Sequence, residues 1–451
     1  MSNLNRRKFL HSALVGSGAI LCFQGLSERS KLFKTQTISA LENKTSLYGA
    51  LNPKSSANTG ETFLSLPQGF QYNVFSKSGS PMTNGQPTPR AHDGMGIFDI
   101  GSNWALIRNH EIFAFAGSGG TVSGTTPYDS QAGGGTTTLL IDKTSRLPIN
   151  QFVSLSGTST NCAGGTTPWN TWISCEETTA GTVAGYARPH GYCFEVSPSN
   201  QRPAEPSSTP IALTQLGRFR HEAIAVDRRG GIVYLTEDNT PAGFYRFVPD
   251  NYGKLAAGGK LQMLAVKNQP NFDARTGQTV GTRYLVNWVN IPEPDPANAE
   301  SDSLAVFKQG HAQGAAVFSR LEGCFAENFR IYFTSTDGGN QGLGQVWEYR
   351  HRKLNSGILK LVFESPNASV LNKPDNICFG QRGNLFICED NLSEIFLRVL
   401  SPDGMMSNFA KNVVPGFQDQ EFAGSIFSSD KQTLFVNIQS PGLTFAIWGN
   451  W

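Results

Sequence analysis

Short apolar runs alternate with Gly-, Asn- and Asp-rich turns along most of this chain. The runs are rich in β-branched and aromatic residues, and no long helical period interrupts them, so the pattern predicts strands. Three stretches show the arrangement most clearly: RHEAIAVDRRGGIVYLTEDN (220–239), RLEGCFAENFRIYFTSTDGG (320–339) and KPDNICFGQRGNLFICEDN (373–391). Each opens on a carboxylate or amide, crosses a short strand, turns, and returns on a second strand that ends in Asp or Glu. Weaker copies occupy 91–111, 161–179 and 420–442. A third strand follows each pair: 134–143, 191–197, 243–250, 344–351, 394–400 and 443–451. Repetition of one multi-strand unit predicts an all-β fold, a six-bladed β-propeller with long inter-strand insertions. The largest insertion spans about 251–319.

In an antiparallel hairpin the first residue of one strand lies beside the last residue of its partner. Each unit therefore delivers two sets of polar groups to one edge. The opening positions are His92-Asp93, Asn161, Glu222, Glu322, Asp375-Asn376 and Glu421. The closing positions are Asn109-His110-Glu111, Cys175-Glu176-Glu177, Glu237-Asp238, Asp337 and Glu389-Asp390. Carboxylates massed in one place repel unless cations neutralise them. Oxygen donors with amides among them suit calcium or another hard cation, and a thiolate or imidazole beside them points to a transition metal as well. Cys175 alone reads more often as a core residue than as a ligand, but Glu176 and Glu177 beside it shift that balance toward the site. His110 and His221 either serve the substrate or bond strand-end carbonyls. Cys378 and Cys388 flank one hairpin turn, as a disulfide or as two buried thiols. The chain has no GxSxG and no HExxH, so a metal-bound oxygen is the natural attacking group. Arg320, two residues before Glu322, is placed to clamp an anionic substrate, and His221 beside Glu222 to assist.

Composition refines this picture at the N-terminus. Asn5-Arg6-Arg7-Lys8-Phe9-Leu10 has the form of a twin-arginine export motif, and the apolar, Gly-containing run after it is short for a membrane span. Residues 1–40 read as leader and linker, and 41–451 as one catalytic domain. The leader holds six basic residues and one acidic residue, leaving 31 basic against 34 acidic in the remainder. The formal charge of +2 thus belongs to the leader, and no basic stripe suggests nucleic acid. The expected partners are the twin-arginine export machinery and a small anionic substrate. A periplasmic or secreted monomer without a stable membrane anchor is expected.

The motif set resembles that of the PhoX-type alkaline phosphatases. It comprises the leader, RNHE (108–111), TWISCEE (171–177), RFRHEA (218–223), YLTED (234–238), GFYRF (243–247), RLEG (320–323) and PDN (374–376). The resemblance covers nearly the whole chain. It implies a propeller bearing an iron–calcium cluster, with ferric ions and calcium around a bridging oxygen, that cleaves phosphate monoesters. It implies Cys175, Glu222 and Glu322 as iron ligands and Arg320 as the phosphate binder. Leu321 replaces a proline of the family's pattern. Calcium would fall to Glu111, Glu176, Glu177, Glu237, Asp238, Asp375, Asn376, Glu389 and Asp390. The chain is shorter than the family pattern, which bears on the pocket rim. Two other readings are a calcium-dependent propeller lactonase, which would need neither Cys175 nor Arg320, and a metal-stabilised binding propeller without turnover.

Overall fold

The computed structural model describes residues 46–199, 210–352 and 355–451. The expected leader lies outside them. Alternating apolar runs become strands throughout. After the hairpin of β1 (Asn52–Ser55) and β2 (Thr62–Leu66) comes β3 (Gln71–Phe75). Four antiparallel strands, β4 (His92–Ile100), β5 (Asn103–His110), β6 (Gly134–Asp142) and β7 (Pro148–Thr158), make one sheet. A second sheet holds β8 (Asn161–Thr166), β9 (Trp172–Glu176) and β10 (Cys193–Val196).

The chain then adds β11 (His221–Val226), β12 (Val233–Glu237), β13 (Phe244–Pro249), β14 (Gly259–Val266) and β15 (Arg283–Asn290). A short helix, α1 (Ala305–His311), precedes β16 (Leu321–Glu327), β17 (Arg330–Ser335), β18 (Gln345–His351) and β19 (Ser356–Glu364). These nine strands form a single sheet, because β15 pairs with β14 on one side and β19 on the other. The next strands are β20 (Pro374–Phe379), β21 (Leu385–Glu389), β22 (Phe396–Leu400) and β23 (Met406–Asn412), extended by β2 and β1. Last come β24 (Phe422–Phe427), β25 (Thr433–Ile438) and β26 (Leu443–Trp448), completed by β3 from the other end of the domain.

The result is an all-β, propeller-like arrangement. It does not consist of six separate blades. The described strands form five sheets, because the 251–319 insertion supplies β15, and β15 welds two of the repeated units edge to edge. The edge strands β4, β8, β11, β16, β20 and β24 pack side by side in that order, and β24 returns against β4. Small residues permit this approach: a Cβ on Gly323 would lie 2.4 Å from the Asp375 carbonyl, and one on Gly424 2.3 Å from that of Asp93. Aromatic and aliphatic side chains fill the spaces between sheets, with Phe244, Phe333 and Trp347 fully buried in one cluster. Each such burial contributes about 1.5–3 kcal/mol. Cys378 and Cys388 are free and buried. Cys378 faces Phe386 across the hairpin, so the two thiols are not opposite each other. Among the described residues no helix is long and apolar enough to cross a membrane.

Candidate metal centre

All six edge strands carry a register shift near their start, between His92 and Met95, Asn161 and Gly164, His221 and Ile224, Leu321 and Cys324, Pro374 and Ile377, and Ala423 and Ile426. A bulge of this kind adds an unpaired residue and re-aims side chains. In five strands the first residue inside the bulge is Asp93, Cys162, Glu222, Glu322 or Asp375, all buried. The partner strand contributes the residue just past its end. Glu111, Glu177 and Asp390 donate their N–H groups to the carbonyls of Ala91, Thr160 and Lys373, at 2.9 Å each, and Asp238 donates to Arg220 at 3.1 Å. The repeated unit therefore brings acidic side chains to one place again and again.

Three groups bring ligand atoms within 4.8 Å of one another: Cys162 with Glu177 and Glu222; Glu222 with Glu322 and Asp375; and Asp93 with Glu111 and Glu421. Cys162 Sγ lies 3.0 and 2.9 Å from the two Glu222 oxygens. Burial raises the carboxyls of Asp93, Glu222, Glu322 and Asp375 well above the usual range, and neighbouring acids push each further. Asp238 goes the other way: burial would raise it, but Arg320 and Arg220 outweigh that and hold it below its ordinary value. Arg320 donates from Nε to Asp238 at 2.9 Å and from Nη2 to Glu322 at 2.5 Å. Arg220 pairs with Glu177 and, at 3.3 Å, with Asp238. Both guanidinium groups remain partly exposed, at 29 and 28% of their side-chain surface.

Two arginines cannot balance seven clustered carboxylates, and Asp93 Oδ1 is buried without a hydrogen-bond partner among the described residues. The donor set suits hard cations at the all-oxygen groups and a transition metal at the group containing a thiol. The residues present thus fit bound metal ions.

The family described as Alkaline phosphatase PhoX matches residues 47–150 and 147–442. The chain belongs to the PhoX alkaline phosphatase family. Its fold is similar to that of Pseudomonas fluorescens PhoX in complex with vanadate, a transition state analogue. That structure has a TM-score of 0.65 and 18% identity, over 88% of this chain and 97% of that one. A gluconolactonase from Xanthomonas campestris has a TM-score of 0.44 and 11% identity, over 90% of this chain and 99% of its own. Virginiamycin B lyase from Staphylococcus aureus has a TM-score of 0.41 and 10% identity, over 84 and 99%. Nothing among curated proteins matches.

Within this PhoX-family fold the expected residues divide. Glu111, Glu177, Glu222, Glu322 and Asp375 join the clustered groups, and Asp238 and Arg320 pair with each other beside Glu322. Asp390 lies close enough to Asp375 and Arg320 to shift both. Asn376 braces the site instead: its Nδ2 donates to Asp375 Oδ1 at 3.1 Å, and its Oδ1 accepts from Gly424 N–H at 2.5 Å.

Five expected residues face elsewhere. Cys175 sits on β9, the second strand of its sheet, directly opposite Cys193, with the two sulfurs 3.5 Å apart in an apolar core. A side chain inside that strand faces neighbouring packing rather than the axis, so Cys175 is not in the cluster and Cys162 is. Glu176 accepts from Ser159, Gly191 and Tyr192 N–H groups at 2.8, 2.8 and 3.1 Å and meets His190 Nδ1 at 2.6 Å. Glu237 accepts from Gly243 N–H and Tyr245 hydroxyl, each at 2.8 Å, and burial pushes its carboxyl up to about 7. Glu389 accepts from Asn372 N–H at 2.8 Å, Phe396 N–H at 3.2 Å and Arg398 Nε at 2.8 Å. These three carboxylates hold loops. His221 also turns inward: Nε2 is 2.9 Å from the Gly217 carbonyl and Nδ1 3.6 Å from Cys193 Sγ. Cys162, Arg220 and the grouping of Asp93 with Glu421 were the unexpected members.

Proposed function

We propose that this chain hydrolyses phosphate monoesters at the axial cluster, with iron and calcium as its cations. One observation carries the reading: a thiol, seven carboxylates and two partly exposed arginines converge within a PhoX-family fold. Cys162, Glu177, Glu222, Glu322 and Asp375 would hold iron, and Asp93, Glu111 and Glu421 would hold calcium. Bound there, the cations would supply Lewis-acid polarisation of phosphate oxygens and a nucleophile at neutral pH. Arg320 and Arg220 orient the phosphate by exchanging a carboxylate partner for a phosphate oxygen, and a planar guanidinium can do so through two parallel bonds. Asp238 keeps both arginines aimed at the mouth. The small residues behind the cluster hold the edge strands close, so the ligand spacing is fixed before substrate arrives.

In finer detail we read the nine-stranded sheet as two propeller units sharing β15. We place the protein in the periplasm or outside the cell, on the strength of the Arg6-Arg7 motif, as a monomer without nucleic-acid partners. The deciding experiment is metal analysis of protein exported by its own route, with p-nitrophenyl phosphate as substrate. Iron and calcium in the preparation with phosphate release supports the reading. Fully metal-loaded protein inert toward phosphate esters but active on lactones would replace it.

A further inference from the structure

An aromatic patch stands beside the acidic mouth, and phosphate chemistry gives it no task. Phe113 and Phe115 are 58 and 49% exposed. They lie on the loop that leaves β5 directly after Glu111. Tyr186, buried on the loop after β9, meets Phe113 edge-on with centroids 6.2 Å apart and Phe115 at 5.5 Å. Its hydroxyl is 3.0 Å from Ser159 Oγ. The loop is tied to the cluster through the backbone: Thr160 N–H donates to the Ile112 carbonyl at 3.0 Å, and Glu177 N–H donates to the Thr160 carbonyl at 2.9 Å. Phe113 therefore starts one residue beyond a peptide fixed to the segment that carries Cys162 and is capped by Glu177. Apolar surface left exposed beside a cluster of polar groups is a recognition feature rather than a packing one.

We propose that Phe113 and Phe115 form a leaving-group subsite that favours aryl phosphate monoesters. The phosphate sits on the cluster and the ring of the ester lies against the two phenylalanines, with Tyr186 holding them from behind. Hydrolysis then breaks the bond from phosphorus to the aryl oxygen, and water supplies both the new phosphorus–oxygen bond and the proton taken by the phenol. The proposal rests on the phosphatase reading above.

The test compares Phe113→Ala/Phe115→Ala with the parent enzyme. The measured quantity is the ratio of kcat/KM for 1-naphthyl phosphate to that for glycerol phosphate. Loss of roughly 50 Å² of apolar contact should lower the ratio about tenfold. Phe329→Ala removes another exposed aromatic, at the far hairpin tip between β16 and β17, and should leave the ratio as in the parent. An unchanged ratio in the double variant would overturn the subsite. Calorimetry separates this from failure of the phosphatase reading. If the parent turns over no ester, phenylphosphonate should still bind more tightly than methylphosphonate, and the double variant should lose that preference. Equal binding of the two phosphonates to the parent would also overturn the proposal.

Discussion

Replacing Cys162 by serine should strip metal from this protein, while the same change at Cys175 should not. Cys162 Sγ sits 2.9–3.0 Å from both Glu222 oxygens and 3.9 Å from Asp93 Oδ2. A serine keeps the volume but cannot present an anionic sulfur. Loss of even an outer partner of a metal ligand typically weakens binding by about ten- to a hundredfold, or roughly 1.4–2.8 kcal/mol. Loss of a direct ligand should exceed that. Cys175 lies in an apolar core against Cys193, so its hydroxyl replacement should cost about 1–3 kcal/mol of stability through a poorly satisfied polar group. The assay is metal content per chain, with visible absorption for a thiolate–iron band, alongside a denaturant melt. Cys162→Ser should lose iron and the band at nearly unchanged apo stability. Cys175→Ser should keep both and melt earlier. Full iron in Cys162→Ser, with depletion in Cys175→Ser, would refute the placement of the thiol.

Arg320→Ala should retain its metals yet lose about a hundred- to a thousandfold in kcat on p-nitrophenyl phosphate; near-normal turnover would remove the phosphate clamp. Glu389→Ala should cost about 3–5 kcal/mol, because it strands buried Arg398, with no change in metal content; metal loss without destabilisation would return Glu389 to the centre. Metal-free protein should lose stability as pH rises from about 4, because burial and neighbouring acids raise the carboxyls of Asp93, Glu222, Glu322 and Asp375 in the folded state alone. The folded form then binds more protons than the unfolded chain between the ordinary carboxylate range and the raised values, and a higher urea midpoint at about pH 8 than at pH 5 in chelated protein would contradict this. Replacing Arg6 and Arg7 by lysine should hold active enzyme in the cytoplasm, as tracked by fractionation; undiminished export would exclude the twin-arginine route.

Much of this architecture was legible because a repeated carboxylate at both ends of a hairpin leaves a sequence signature. Glu222, Glu322 and Asp375 announce themselves at strand starts, and Glu111 and Glu177 at strand ends. The division within each acidic pair was hidden. Successive side chains on a strand point to opposite faces, so Glu176-Glu177, Glu237-Asp238 and Glu389-Asp390 cannot each send both carboxylates to the axis. Register decides which one goes: Asn161 faces Glu176, His221 faces Glu237 and Pro374 faces Glu389. The first acid of each pair is thereby committed to its own sheet, where backbone N–H groups donate to it, and the second is free to leave the strand toward the centre. The six bulges were hidden for a similar reason, since a bulge changes the face of one residue without changing composition. Setting Asn161 in the column of Glu222 misplaced that unit by one position. Aligning instead on the small residues that follow, Gly94, Ala163, Ala223 and Gly323, puts Asp93, Cys162, Glu222 and Glu322 in one column. Those small residues are there because the edge strands approach too closely for side chains. The same crowding that forbids bulk behind the site therefore marks, one residue earlier, the side chains that build it.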